Sequence, residues 1–232
     1  QSYTYFTWRN TPGELRDYLN ELAHHSAAYF RPNFWVSTPD ILTPYLQFGG
    51  KSGHKIRAVL AAMSTPSWGM YAGYELIECV ARPGAEEHID SEKYEYKARN
   101  WDAPDTVERS IAPYIARLNQ IRRDHPAVMQ LRNIEFHHSD DGAFLVFSKH
   151  LPAELTESGK SDTVIVVVNT DPHAVRETTV RLELNKLGLA DGSTFEVQDL
   201  ITDAKYHWSA NNYVRLDSFV EPAHVLHVIR KK

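Results

Sequence analysis

Phe34-Trp35-Val36-Ser37-Thr38-Pro39-Asp40 decides how the first half of this chain is built. Bulky β-formers run into Pro39, which cannot donate to a ladder. The stretch therefore reads as a short strand ending in a stiff turn that carries an aspartate. Upstream, residues 3–8 (Tyr-Thr-Tyr-Phe-Thr-Trp) read as another strand, and downstream Trp68-Gly69-Met70-Tyr71 reads as a third. Between the first two, Thr11-Pro12-Gly13-Glu14 offers a cap, a proline at the first helical position and a capping-box glutamate. Leu15, Tyr18, Leu19, Leu22 and Ala23 then recur at helical spacing. Residues 56–63 predict a buried helix, and residues 106–123 an amphipathic one that Pro113 starts or interrupts. Strands alternating with helices predict βαβ units and a parallel sheet up to about residue 127.

Beyond Pro126 the pattern changes. Short alternating runs fall at 134–137, 143–147, 163–169, 178–184, 195–199, 213–216 and 225–229. Turn residues such as Asp140-Asp141-Gly142 and Asp191-Gly192-Ser193 separate them, which predicts an antiparallel β-sandwich over residues 128–232. Arg82-Pro83-Gly84 and the charged run behind it, Glu86 to Lys97, predict a long surface loop after the third strand.

Composition narrows the function classes. The chain has 232 residues, 42% hydrophobic and 24% charged, as expected of a soluble globular protein of one or two domains. A net charge of -5 leaves no basic footprint for nucleic acid. The valine-rich run Val164-Ile165-Val166-Val167-Val168 is far short of the roughly 20 residues that span a bilayer, so no membrane is expected. The single cysteine, Cys79, excludes an intrachain disulfide and suits a cytoplasmic protein. The first residues already read as a strand, without a charged-then-apolar leader, so a fragment boundary is expected at Gln1.

Three places could carry chemistry. Asp40 lies just past the C-terminal end of a predicted parallel strand, where (β/α) barrels place their active sites; a helix N-cap is the other reading. Gly73-Tyr74-Glu75 permits a tight strand-end turn and offers either a pocket carboxylate or one that bonds neighbouring amides. Ser91-Glu92-Lys93-Tyr94 groups a hydroxyl, an ammonium and a phenol that could hold a phosphate, or form a solvated loop. Gly49-Gly50-Lys51-Ser52 is no P-loop, because Tyr45 occupies the position of the required upstream glycine. The 12 histidines show no metal spacing: His224 and His227 would face opposite sides of a strand, and no metal is expected.

Taken together, these stretches resemble the α-amylase superfamily of glycoside hydrolases and transglycosylases. Residues 34–40 look like its strand ending in Asn-His-Asp, residues 68–75 like its eighth strand, and Arg122-Arg123-Asp124-His125-Pro126 like the exit of its last barrel helix. Within the superfamily, Thr38-Pro39-Asp40-Ile41-Leu42 and Ser91-Glu92-Lys93-Tyr94 are similar to the α-1,4-glucan:maltose-1-phosphate maltosyltransferases. Ser37 departs from that pattern, which has Asn there.

The resemblance implies an α/β-plus-β chain: residues 1–127 as about strands 6–8 of a (β/α)8 TIM barrel, then residues 128–232 as the sandwich. It implies Asp40 as the transition-state stabiliser, Lys93 and Tyr94 as ligands of the donor phosphate, and maltose-1-phosphate and an α-1,4-glucan as substrates. It implies no metal or organic cofactor, and a homodimeric intact enzyme. Nothing here matches the family's nucleophile or general acid, so the chain is expected to be inactive alone. The alternatives are another α-amylase-family hydrolase or transglycosylase, or a glucan-binding module using Trp208 or Tyr213, aromatics that would otherwise serve packing. A three-strand slice of a barrel would also expose faces of Tyr5, Phe34 and Met70 to water.

Overall fold

The computed structural model describes residues 2–92 and 96–230. Its first part holds three parallel strands, β1 (Ser2–Tyr3), β2 (Pro32–Trp35) and β3 (Trp68–Gly69), in the order β1-β2-β3. The expected strand over residues 3–8 is shorter than predicted. After Tyr3 the chain folds into a 3-10 turn, Tyr5–Trp8, capped by the Thr4 hydroxyl. Among the described residues, the α-helices α1 (Pro12–Asn20), α2 (Pro44–Ser64), α3 (Pro104–Arg109) and α4 (Ala112–Asp124) accompany the sheet. α1 starts on the predicted capping box, with Thr11 and Glu14 satisfying each other's backbone amides. Pro113 starts α4 rather than interrupting a longer helix. In α2 the helix breaks at Gly50, whose φ of 53° only glycine adopts cheaply.

The second part has two antiparallel sheets. Six strands run in the order β10 (Lys205–Trp208), β9 (Phe195–Asp199), β12 (Ala223–Ile229), β7 (Asp162–Asn169), β6 (Phe144–Leu151) and β4 (Ile134–Phe136). Three more, β11 (Asn211–Asp217), β8 (Val175–Arg181) and β5 (His138–Ser139), lie against them. This is the sandwich that the alternating runs predicted. β5 and β10 escaped the pattern because they are short and mostly solvent-facing. No helix among the described residues is long and apolar enough to cross a membrane.

The larger sheet is covered on both faces, which accounts for the valine-rich run. Along β7, Val164, Val166 and Val168 enter one apolar cluster and Ile165 and Val167 enter another. A strand buried on both sides loses its polar alternation. The second cluster is the interior of the sandwich. The first joins the sheet to Leu15, Phe34, Val59, Leu60 and Leu118 of the α/β part, so residues from before and after position 127 share one core. Polar contacts cross the same junction: Tyr45 Oη donates to the Thr170 carbonyl at 2.6 Å, Tyr114 Oη to Glu221 Oε1 at 2.9 Å, and Lys55 Nζ to Glu221 Oε2 at 3.2 Å.

Of the three side chains expected to meet water, Tyr5 does and Met70 is half-buried, but Phe34 is fully buried. The pleat turns Phe34 toward the helices. Its ring stacks on Phe6 at 4.4 Å and faces Tyr18 of α1 at 6.5 Å.

Candidate functional site

Both candidate segments leave the same end of the parallel sheet. β2 and β3 pair in parallel, Phe34 with Trp68 and Trp35 with Gly69, so the chain after Trp35 and the chain after Gly69 emerge side by side. This is the strand end at which α/β folds build sites.

After β2 the chain makes a two-residue turn, Pro39-Asp40, closed by reciprocal backbone bonds of 3.2 Å between Thr38 and Ile41. Pro39 fixes one backbone angle of that turn, and Asp40 occupies its exposed tip. The turn is tied to the long loop by Leu42 N–H, which donates to the Glu86 carbonyl at 2.6 Å. Asp40 is not the cap of α2, because Thr43 holds that position. Ser37, at the position where the family pattern has Asn, is buried, and its hydroxyl finds no hydrogen-bond partner among the described residues.

After β3 the chain turns at Gly73. Its φ is 94°, and a Cβ there would stand 2.2 Å from Glu78 Oε2, so both conformation and space require glycine. Glu75 takes the structural role: its Oε2 accepts the Gly73 N–H at 3.1 Å. Ile77 follows with φ 58°, a left-handed conformation that a β-branched residue keeps only under tertiary constraint.

The next residue, Glu78, enters an ion-pair network centred on Arg99. Its guanidinium donates to Glu78 at 2.8 and 3.0 Å and to Glu92 at 3.2 and 2.9 Å. Lys97 Nζ reaches Glu78 at 3.1 Å, and Tyr71 Oη donates to Glu92 at 2.8 Å. Glu92, itself at φ 50°, is thereby fixed immediately before Lys93. Lys93 and Tyr94, the predicted phosphate ligands, lie outside the described residues. Sequence reasoning missed Arg99, Glu78 and Tyr71, since nothing in a charged run says which cation meets which acid.

Arg99 hydrogen bonds, then the Tyr71 hydroxyl, hold the Glu92 carboxyl down at about 2. A depressed carboxylate stabilises the fold above its unfolded value, roughly 4.3, and that contribution is lost as pH falls through the folded value. The clamp should therefore be intact at neutral pH and fail between about pH 4 and 2. Arg99→Ala should produce the loosened state at neutral pH, with faster amide exchange at residues 84–92 and unchanged exchange in β7 and β12. Parent-like exchange in that variant would show that the loop is held by other contacts.

The aromatics of the glucan-module alternative separate. Trp208 is buried in the sandwich core, whereas Tyr213 is exposed and its hydroxyl donates to Glu177 at 2.7 Å.

Known proteins share this fold and much of this sequence. The fold matches the α-amylase from Geobacillus thermoleovorans with a TM-score of 0.61 at 13% identity, over 98% of this chain and 47% of that one. It matches a maltogenic α-amylase from Thermotoga neapolitana with a TM-score of 0.62 at 10% identity, over 98% and 50%. A parallel sheet carrying loops at one end, joined to a sandwich, is thus an α-amylase type of fold. At the sequence level, the α-1,4-glucan:maltose-1-phosphate maltosyltransferase 2 of Streptomyces coelicolor is 50% identical over 99% of this chain, and the Mycobacterium tuberculosis enzyme 47% identical over 98%. The family model described as GLGE, C-terminal, matches residues 136–228. Over nearly its whole length the chain is thus similar to the C-terminal portion of α-1,4-glucan:maltose-1-phosphate maltosyltransferases, and it spans about a third of the length of the curated relatives it matches.

Proposed function

We propose that this chain supplies the transition-state carboxylate and the donor-phosphate loop of a retaining enzyme that moves a maltosyl unit from α-maltose-1-phosphate to the non-reducing end of an α-1,4-glucan. The supporting observation is the parallel pairing of β2 with β3, which sends the Asp40 turn and the Arg99-clamped loop out of one sheet end. In this reading β1, β2 and β3 are strands six to eight of a (β/α)8 barrel, residues 1–127 are its C-terminal part and residues 128–232 the following sandwich. Asp40 holds the sugar hydroxyls and stabilises the oxocarbenium-like transition state. Lys93 and Tyr94 hold the phosphate as it leaves, by charge and by a directional hydroxyl. Retention needs a nucleophile and an acid about 5 Å apart, and the proposal places both outside residues 1–232. The acceptor 4-hydroxyl then displaces the enzyme-bound maltosyl group. A cytoplasmic setting rests on the lone Cys79, and a homodimeric intact enzyme on the family resemblance.

Lys93→Ala in the intact enzyme tests the phosphate assignment. Hydrogen bonds to a charged group are worth roughly 1.5–3 kcal/mol, so kcat/KM for maltose-1-phosphate should fall about ten- to a hundredfold. An activated aryl maltoside, whose leaving group is neutral, should lose far less. Equal losses on both donors would reduce the loop to a wall of the site.

A further inference from the structure

His125, Asp162 and His227 come from three distant parts of the chain: the end of α4, the first residue of β7 and the middle of β12. Each offers one donor atom, and the three lie within 4.8 Å of one another. His125 Nδ1 is 2.9 Å from Asp162 Oδ1, His227 Nε2 is 3.6 Å from the same oxygen, and the two imidazole rings are 4.5 Å apart. We propose that this cluster binds one zinc-class divalent cation, with water completing the coordination, and that the ion ties α4 to the six-stranded sheet.

The donor set suits that ion. Two imidazoles and a carboxylate favour zinc and its late-transition neighbours over magnesium or calcium, which prefer all-oxygen sites. Metal–ligand bonds of 2.0–2.1 Å in tetrahedral geometry put ligand atoms about 3.3 Å apart, between the 2.9 and 3.6 Å from the two imidazoles to Asp162 Oδ1, with all three donor atoms within 4.8 Å. A His–Asp hydrogen bond alone accounts for His125 and Asp162. It leaves His227 unexplained, because 3.6 Å is beyond hydrogen-bond length.

The supports are rigid, as a site needs. Asp162 Oδ2 accepts the Ala127 N–H at 2.9 Å, which orients the carboxylate. His227 sits on a strand paired on both sides, with β7 and with β9. Arg122, one turn before His125, anchors the end of α4 by donating to the Thr65 carbonyl at 2.8 Å and the Pro66 carbonyl at 2.7 Å. Among the described residues, no lysine or arginine takes the carboxylate. Arg230, whose charge is felt at His227, donates instead to Leu187 and Gly188 carbonyls and the Thr163 hydroxyl. The imidazoles remain reachable from solvent, His125 with 13% and His227 with 31% of the side chain exposed.

Zinc titration of the tag-free chain by calorimetry, with magnesium as control, tests the proposal. The expected result is one zinc per chain, a higher thermal midpoint in zinc that EDTA reverses, and no magnesium binding. His227→Ala and His227→Gln, each verified as folded by circular dichroism, should weaken zinc at least about tenfold, and the exposed-surface control His207→Ala should not. Cobalt substitution should give the visible spectrum of a four-coordinate ion, lost in both His227 variants. Zinc binding undiminished in both variants would assign it to scattered surface histidines. Absence of stoichiometric binding would leave a hydrogen-bonded latch without a metal. Either result overturns the proposal.

Discussion

Asp40→Asn in the intact enzyme should lower kcat by roughly two to four orders of magnitude while leaving the fold unchanged. The fold should survive because Asp40 stands at the exposed tip of a turn that Pro39 and the Thr38–Ile41 backbone pair define. α2 starts on Thr43, so Asp40 is not its cap. Asn keeps the shape and tolerates the same turn, but it removes the negative charge. A charge that matters only as the sugar becomes oxocarbenium-like appears in kcat, because it contributes little to the ground state. Steady-state kinetics beside a thermal melt separate the two effects. A variant with parent kcat and parent melting temperature would reduce Asp40 to a turn former and would remove the central residue of the proposed function.

Phe34→Ala should destabilise the fold by about 3–5 kcal/mol, a large share of the 5–15 kcal/mol that usually holds a domain together. Phe34 is fully buried, and its ring lies parallel to Phe6, 5° apart in orientation. Truncation would leave a cavity against Phe6 and Tyr18, whose backbones sit in a 3-10 turn and a capped helix that cannot collapse inward freely. Because the same apolar cluster reaches Val164, Val166 and Val225, the loss should appear in one cooperative transition that includes the sandwich. Urea unfolding followed by circular dichroism measures it. A loss below about 1 kcal/mol, or an early transition confined to the α/β part, would mean that the shared core does not couple the two parts.

The pattern made many of the elements legible. The capping box at Thr11 and Glu14, the apolar stripe of α1, the proline start of α4 and the alternating strands are local signals, and local physics acts on them without help. Misreadings arose where neighbours decide. Tyr5–Trp8 has strand composition but curls into a 3-10 turn, with Phe6 folded back on Phe34 and the Thr7 hydroxyl donating to the Trp35 carbonyl at 2.8 Å. Phe34 reads as facing water because sequence alternation gives two faces without saying which is covered. β10 went unseen because Lys205, Tyr206 and His207 are all solvent-facing edge residues.

For the site, the sequence by itself determined the chemical inventory: an aspartate after Pro39, a glycine that permits a turn at 73, and a Ser-Glu-Lys-Tyr loop. These are properties of residue types and short spacings. Only the tertiary structure decided which groups meet. It set Arg99 between Glu78 and Glu92, turned Glu75 onto the Gly73 amide, and gathered His125, Asp162 and His227 from positions up to 102 residues apart. His224 and His227 do face opposite sides of their strand, as the period of two requires. Each then found a carboxylate from elsewhere, Asp199 at 2.8 Å and Asp162 at 3.6 Å. Side-chain periodicity reports direction along one element. The partner at the end of that direction is set by how the sheets and helices pack, and packing depends on the whole chain at once.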